Sequence, residues 1–181
     1  MLFAGETHLL SGRRVLLRSA RTDEADMLIA YLKTVTGETP FLLSEPDEVN
    51  FTTEGESAFI KAQNEAPHAM FMLAFVDGEL AGTCSFSRRP GSRRVRHRAE
   101  IGIALFQRFT GFGLGRLMME RLLEKIREAG FAQAELTVIG GNDRARRLYE
   151  SLGFRECGRI PDAHRYDDGS SREDILMTLQ L

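Results

Sequence analysis

Residues 105–130 read "LFQRFTGFGLGRLMMERLLEKIREAG", with Gly111, Gly113 and Gly115 at every second position before a long amphipathic pattern. Glycines set this closely let the backbone approach a ligand with no side chain in the way. A helix beginning at about Gly113 aims its unpaired N–H groups and the positive end of its dipole at the turn, so an anion is the natural guest. Two phosphate motifs fail against these letters. The Walker pattern requires Gly-Lys-Ser/Thr where Arg116, Leu117 and Met118 follow the turn, and the dinucleotide pattern requires glycine at Arg116 or Met118. The turn reads as a phosphate cradle of another kind.

The elements around it follow from periodicity. The helix keeps Leu114, Leu117, Met118, Leu122 and Ile126 on one side, with Glu120 and Glu124 opposite, until Gly130 closes it. The strand "AEIGIAL" (Ala99 to Leu105) precedes the turn and the alternating strand "AELTVI" follows the helix. Then "NDRARRLYESLG" carries Ala145, Leu148, Tyr149 and Leu152 at helical spacing and stops at Gly153. Upstream, "AMFMLAFV" and "ELAGTCSFS" are strands joined by Asp77-Gly78, the strongest hairpin signal in the chain. "RRVLLRSA" (Arg13 to Ala20) is a first strand, and Thr22 caps the helix "TDEADMLIAYLKTV". A loop with two prolines, "GETPFLLSEPDEVNF", leads to a second helix, where Thr53 and Glu56 have capping-box spacing. "FRECGRI" and "DILMTLQL" form a closing strand pair around the polar loop "PDAHRYDDGSSRE". The predicted order is β-α-α-β-β-β-α-β-α-β-β, a mixed α/β (α+β) fold with a central sheet of about seven strands in one domain spanning residues 1–181.

Composition bounds the function. The chain has 181 residues, 43% hydrophobic and 28% charged, enough to bury a sizeable core. A net charge of −2 and a pI near 6.1 give no global attraction for nucleic acid or an anionic membrane, so neither is an expected partner. The arginines of "SRRPGSRRVRHR" alternate about a turn with only Phe86 as a nearby aromatic, which describes a solvated hairpin. The Met-rich stretches "MFML" and "LMM" read as core. Cys84 and Cys157 lie far apart, and His8, His68, His97 and His164 are isolated, so no disulfide framework and no metal site is predicted. The four histidines read as ordinary surface or core residues. No leader pattern and no apolar run of spanning length is present, and the expected location is the cytoplasm.

The glycine turn, its helix, the following strand and then "NDRARRLYESLGF" (Asn142 to Phe154) together resemble the GNAT superfamily of acetyl-CoA-dependent N-acetyltransferases, and the element order agrees. The family's signature has Arg or Gln, two residues, Gly, one residue, then Gly or Ala; here the stretch is Thr110-Gly111-Phe112-Gly113-Leu114-Gly115, with Thr110 replacing the usual Arg or Gln. That grip on pyrophosphate is mainly backbone, and Arg108 or Arg116 is available for the missing charge. The ending "GFRECGRIPDAHRYDDGSSREDILM" further resembles the branch of ribosomal-protein and small-amine N-acetyltransferases. The resemblance implies acetyl-CoA as co-substrate and no metal. It implies a primary amine as acceptor (a protein N-terminus, an amino acid, a polyamine or another small amine) and allows a homodimer. The alternative is an acyl-CoA-binding sensor or interaction module without turnover, for which Thr110 is the only hint.

Moving an acetyl group from sulfur to nitrogen requires a bound CoA, a polarised carbonyl, a neutral amine and a proton for the thiolate. By the resemblance, pyrophosphate sits on the N–H groups of Phe112 to Arg116, and the strand at Ile103, Ala104 and Leu105 splays from its parallel neighbour to bond the thioester and pantetheine. Asn142 caps its helix and also contacts the cofactor, close to Ala145. Tyr149 is the implied acid for the thiolate; its other reading is a ring filling the apolar face with Leu148 and Leu152. Glu100, at the start of the thioester strand, is the expected base, acting directly or through water; its other reading is a strand-edge glutamate paired with Arg96 or Arg98. The acids Glu38, Glu45, Asp47, Glu48, Glu54 and Glu56, in a stretch with no Lys or Arg, are expected to form an acidic rim on the acceptor side.

Overall fold

Asp77 (φ 52°) and Gly78 (φ 91°) adopt the left-handed turn that their sequence demands, joining strand β3 (Ala69–Val76) to β4 (Glu79–Arg88). The structure, a computed structural model, describes residues 1–181. A second turn of this type, Ser11 (φ 50°) and Gly12 (φ 79°), pairs β1 (Glu6–Leu10) with β2 (Arg13–Ser19). β1 is the strand missing from the sequence-based order: it has five residues and half-buried alternation, and its Ser-Gly turn is a weaker signal than Asp-Gly.

Thr52, one residue before the predicted cap, accepts the Gly55 N–H at 3.1 Å and starts helix α2 (Thr53–Glu65). Helix α1 (Ala25–Gly37) follows a short 3-10 turn at Thr22–Glu24. Helix α3 (Leu114–Glu128) sinks Leu114, Met118, Met119, Leu122, Leu123 and Ile126 into the core, each worth roughly 1.5–3 kcal/mol of burial. Gly130 (φ 81°) ends it. β5 (Arg98–Leu105), β6 (Gln133–Ile139), helix α4 (Asp143–Ser151), β7 (Arg155–Arg165) and β8 (Ser171–Gln180) complete one eight-stranded sheet, ordered β1-β2-β3-β4-β5-β6-β8-β7.

Two departures matter for the site. The stretch read as a polar loop is mostly strand: β7 runs on to Arg165 and β8 begins at Ser171, leaving a turn at Tyr166–Ser170. The signal was in "DDGS", a turn sequence short enough to let strands reach it from both sides. The second departure is in the sheet. β5 and β6, its only parallel neighbours, pair over just three positions, Arg98 with Gln133, Ala99 with Ala134 and Glu100 with Glu135, and then part.

Candidate active-site cleft

A cleft of about 1150 Å³ opens where β5 leaves β6. One wall is β5, held from behind by β4: Ile103, Ala104 and Leu105 pair with Cys84, Thr83 and Gly82 on that side. Gly82 is required there, because a Cβ would stand 2.7 Å from the Ala104 carbonyl oxygen. The buried Tyr31 of α1 donates its hydroxyl proton to that same oxygen at 2.7 Å. On the β6 side, the β5 backbone from Ile101 onward has no strand partner.

The glycine turn forms the end of the cleft. Gly111 (φ 96°) and Gly113 (φ 97°) take backbone conformations that side chains resist, and Gly113 is the N-cap of α3. Gly115 approaches Leu148 of α4, where an added Cβ would sit 3.4 Å from the leucine methyl. Thr110, Gly111, Gly113, Gly115 and Arg116 line the cleft, whereas Phe112 and Leu114 turn their side chains away. Phe112 lies under the Arg13 guanidinium, 5.3 Å from its ring centroid, and Leu114 is core. Those two residues can therefore serve a ligand only through backbone N–H groups. Arg108 stacks over Phe106 and Phe109 and pairs with Glu79. Arg116 reaches the cleft with its guanidinium bonded to Ser151 at 2.6 Å. Arg144, in the first turn of α4, also lines the cleft beside Gly111, a placement that its own sequence stretch did not signal.

The opposite wall is α4. Asn142 accepts the Ala145 N–H at 3.2 Å, and both line the cleft. Tyr149 packs its ring edge-on to Phe154 at 6.0 Å and also lines the cleft. Burial, with a smaller contribution from nearby Cys84, pushes its phenol up to about 12. It stays a proton carrier at neutral pH.

Glu100 is paired with an arginine, as its second reading has it. Its carboxylate is held at 2.8 Å by Arg89, which at the same distance holds Glu135; Arg98 also bonds Glu135, and Glu100 is not among the residues that line the cleft. The arginine-rich hairpin thus gathers both glutamates into an ionic cluster at the root of the split. The partner is Arg89, not Arg96 or Arg98. Glu56 also departs from the expected rim: it faces inward, 7% exposed, and burial raises its carboxyl above the ordinary range.

His164, which reads from the sequence as an ordinary surface or core residue, lies on the closing hairpin. It sits on β7 beside a register shift, on the cleft, with Nε2 2.7 Å from Asp174 Oδ1 of β8. A second cavity of about 350 Å³ adjoins, lined by Glu45, Glu48, Ala163 and Tyr166, and sharing Leu42, Leu43 and His164 with the main cleft. Arg172 fixes this end: it donates to the Gly140 carbonyl at 2.9 Å and stacks 5.1 Å from the Phe41 ring, while Tyr166 donates to the Pro40 carbonyl at 2.8 Å. No three His, Cys, Asp or Glu side chains converge to hold a metal, and no helix is long and apolar enough to cross a membrane.

Residues 39–154 match the family described as the acetyltransferase (GNAT) family. The chain is 40% identical over 82 residues to the ribosomal protein bS18-alanine N-acetyltransferase of Escherichia coli K12, a match covering 45% of this chain and 54% of that protein, so it spans about half the length of the curated relatives it matches. A GNAT-family acetyltransferase from Streptococcus pneumoniae superposes with a TM-score of 0.87 at 28% identity, over 92% of this chain and 99% of that one. The protein yncA of Salmonella typhimurium, solved with its cofactor acetyl-CoA, shares the fold with a TM-score of 0.81 at 20% identity, over 92% of this chain and 94% of that one.

Proposed function

The chain belongs to the acetyltransferase (GNAT) family, and from that premise we propose that it transfers an acetyl group from acetyl-CoA to a primary amine. The observation that carries this reading is the parting of β5 from β6 beside a positive-φ glycine turn at the start of α3. The residues fit an extended, anionic thioester. The N–H groups from Phe112 to Arg116 point out of the helix start and suit a pyrophosphate, with the Arg144 and Arg116 side chains at hand. The β5 edge over Ile103, Ala104 and Leu105, without a partner strand on its β6 side, suits the amides of a pantetheine arm, as an added strand would.

Acetyl-CoA supplies an acyl carbon already activated by its thioester. The chain's residues then hold and move protons. A β5 N–H polarises the carbonyl oxygen, Tyr149 gives its proton to the departing sulfur, and Asn142 with Ala145 keeps the start of α4 against the cofactor. Glu100, fixed by Arg89 outside the cleft lining, has no part in this reading.

For the acceptor, the relatives named for ribosomal-protein alanine make a protein N-terminal amine the first to test, followed by polyamines and amino acids. The test is acetyl-CoA-dependent thiol release across those amines. Release with at least one class is expected; none with any amine would leave an acyl-CoA sensor as the better account.

A further inference from the structure

The acyl-transfer reading leaves one requirement unfilled. An alkylammonium has no lone pair at neutral pH, and the glutamate expected to remove its proton is committed to Arg89. The cleft holds another candidate. On the sheet face that lines the cleft, β8 presents Asp174 opposite Ile139 of β6, and β7 presents His164 two positions further along. The register shift between Ile160 and His164 brings the two side chains together at 2.7 Å.

The pair differs from the other ion pairs of this hairpin. Arg159 with Glu156 and Glu173, and Arg165 with Asp162, lie on the solvent side, and none of these arginines lines the main cleft. His164 and Asp174 are 17% and 21% exposed and both do. An Nε2–H donated to the carboxylate leaves the Nδ1 lone pair as the free basic site, the tautomer fixed by the partner. His164 also stands where the smaller cavity meets the cleft, and Glu45, Glu48 and Asp167 line that cavity against one arginine, Arg165, and no lysine. A cation arriving through it meets the imidazole before the thioester.

We propose that His164, oriented by Asp174, is the base that takes the proton from the acceptor ammonium, and that the acceptor is a cationic primary amine entering past Leu43, Glu45 and Glu48. This rests on the acetyl-transfer reading. One N–H bond of the ammonium breaks with its electron pair left on nitrogen, and the proton moves to Nδ1, where the Asp174 carboxylate offsets the new charge. The amine forms its bond to the acyl carbon, and the C–S bond breaks with its electron pair on sulfur. Tyr149 protonates the sulfur and recovers the second proton that nitrogen loses. His164 then releases its proton to water, the one proton by which an ammonium and a thioester exceed an amide and a thiol.

The experiment compares the wild-type chain with His164→Asn in thiol release from acetyl-CoA. An N-terminal alanyl tripeptide amide and spermidine serve as alkylammonium acceptors, and methoxyamine as a nucleophile that is neutral at pH 7. For His164→Asn, kcat with the alkylammonium acceptors falls roughly 10²-fold or more, while the rate with methoxyamine and the thermal shift by acetyl-CoA hold. Asp174→Asn, a positioning residue, shows the same selectivity with a loss on the order of tenfold, and it replaces the first variant if that does not fold. Where methoxyamine is too poor a nucleophile to measure, a fall in kcat at constant KM with the alkylammonium acceptors supports the base, and a change in KM alone overturns it. Equal losses for both kinds of nucleophile, or no loss, overturn the assignment and leave acetyl transfer standing. A wild-type chain that turns over neither alkylammonium acceptor overturns the cationic-acceptor proposal itself.

Discussion

The two ends of the cleft are built from different materials. At the glycine turn the backbone carries the site: Gly111 and Gly113 at positive φ, the N–H groups of α3, and an unpaired strand edge at Ile103 to Leu105. At the far end side chains carry it: His164 on Asp174, Arg172 on Phe41, and Tyr166 on the Pro40 carbonyl. A site made of backbone constrains sequence through what must be absent, a Cβ, and every ligand with the same backbone-binding handle can share it. A site made of side chains can be rebuilt for each acceptor without disturbing the first. On the proposed reading, cofactor and acceptor recognition are separable, and substitutions can test whether they separate.

The largest effect should come from the residue between the two ends. Tyr149→Phe keeps the ring on Phe154 and removes the proton, so turnover should drop roughly 10²-fold or more with little change in acetyl-CoA affinity. Unchanged turnover at saturating substrate would make Tyr149 a packing residue and leave the two ends with no shared group.

A change at the backbone end should act on cofactor binding and leave the acceptor end in place. Gly113→Val forces a β-branched residue to φ 97°, at a cost of about 1–3 kcal/mol, and should remove the thermal stabilisation given by acetyl-CoA. Strain rather than crowding is the cause, since an added Cβ would approach Leu10 no closer than 3.6 Å. Equal shifts in both proteins would put the cofactor elsewhere.

This contrast also explains how much was legible. The glycine spacing, "NDRARRLYESLGF" and Asp77-Gly78 announce themselves because each residue type answers a local backbone demand. The split between β5 and β6 followed only from the family resemblance. His164 and Asp174 are ten positions apart on two strands, and nothing in either strand alone states that a register shift will join them. Glu100 is a like case: its place in β5 is legible, but Arg89 and Glu135 arrive from two other parts of the chain. Tyr31 is a further case, a helix residue whose hydroxyl meets a strand carbonyl 73 positions away.

That bond supplies a smaller effect. Tyr31→Phe removes the side-chain donor to the Ala104 carbonyl and should lower stability by about 0.5–1.5 kcal/mol in denaturant unfolding. If stability is unchanged, the wall of the cleft does not depend on α1.

The smallest effect belongs to the acidic rim, now reduced to the acids that line the smaller cavity. Changing Glu45 and Glu48 to Gln should lower kcat/KM for a cationic amine a few-fold, and added salt should do the same to the wild type, while a zwitterionic amino acid responds to neither. A like response from both acceptors would remove steering and leave acceptor choice to the deeper part of the cleft.

The ionic cluster at the root of the split has a mechanical consequence. Arg89 grips Glu100 and Glu135, one from each strand, at the last position where β5 and β6 are bonded. Beyond that clamp each strand is held on its outer side alone, β5 by β4 and β6 by β8. Arg89 and Arg98 thus act as a rivet that stops the fork from tearing further down the sheet. Amide exchange should be slow at Ala99 and Glu100, where β5 has a partner strand on both sides, and faster further along at the N–H groups that face the cleft. The relative alignment of the two strands is thus set at one point, and beyond it the fork is supported only from outside.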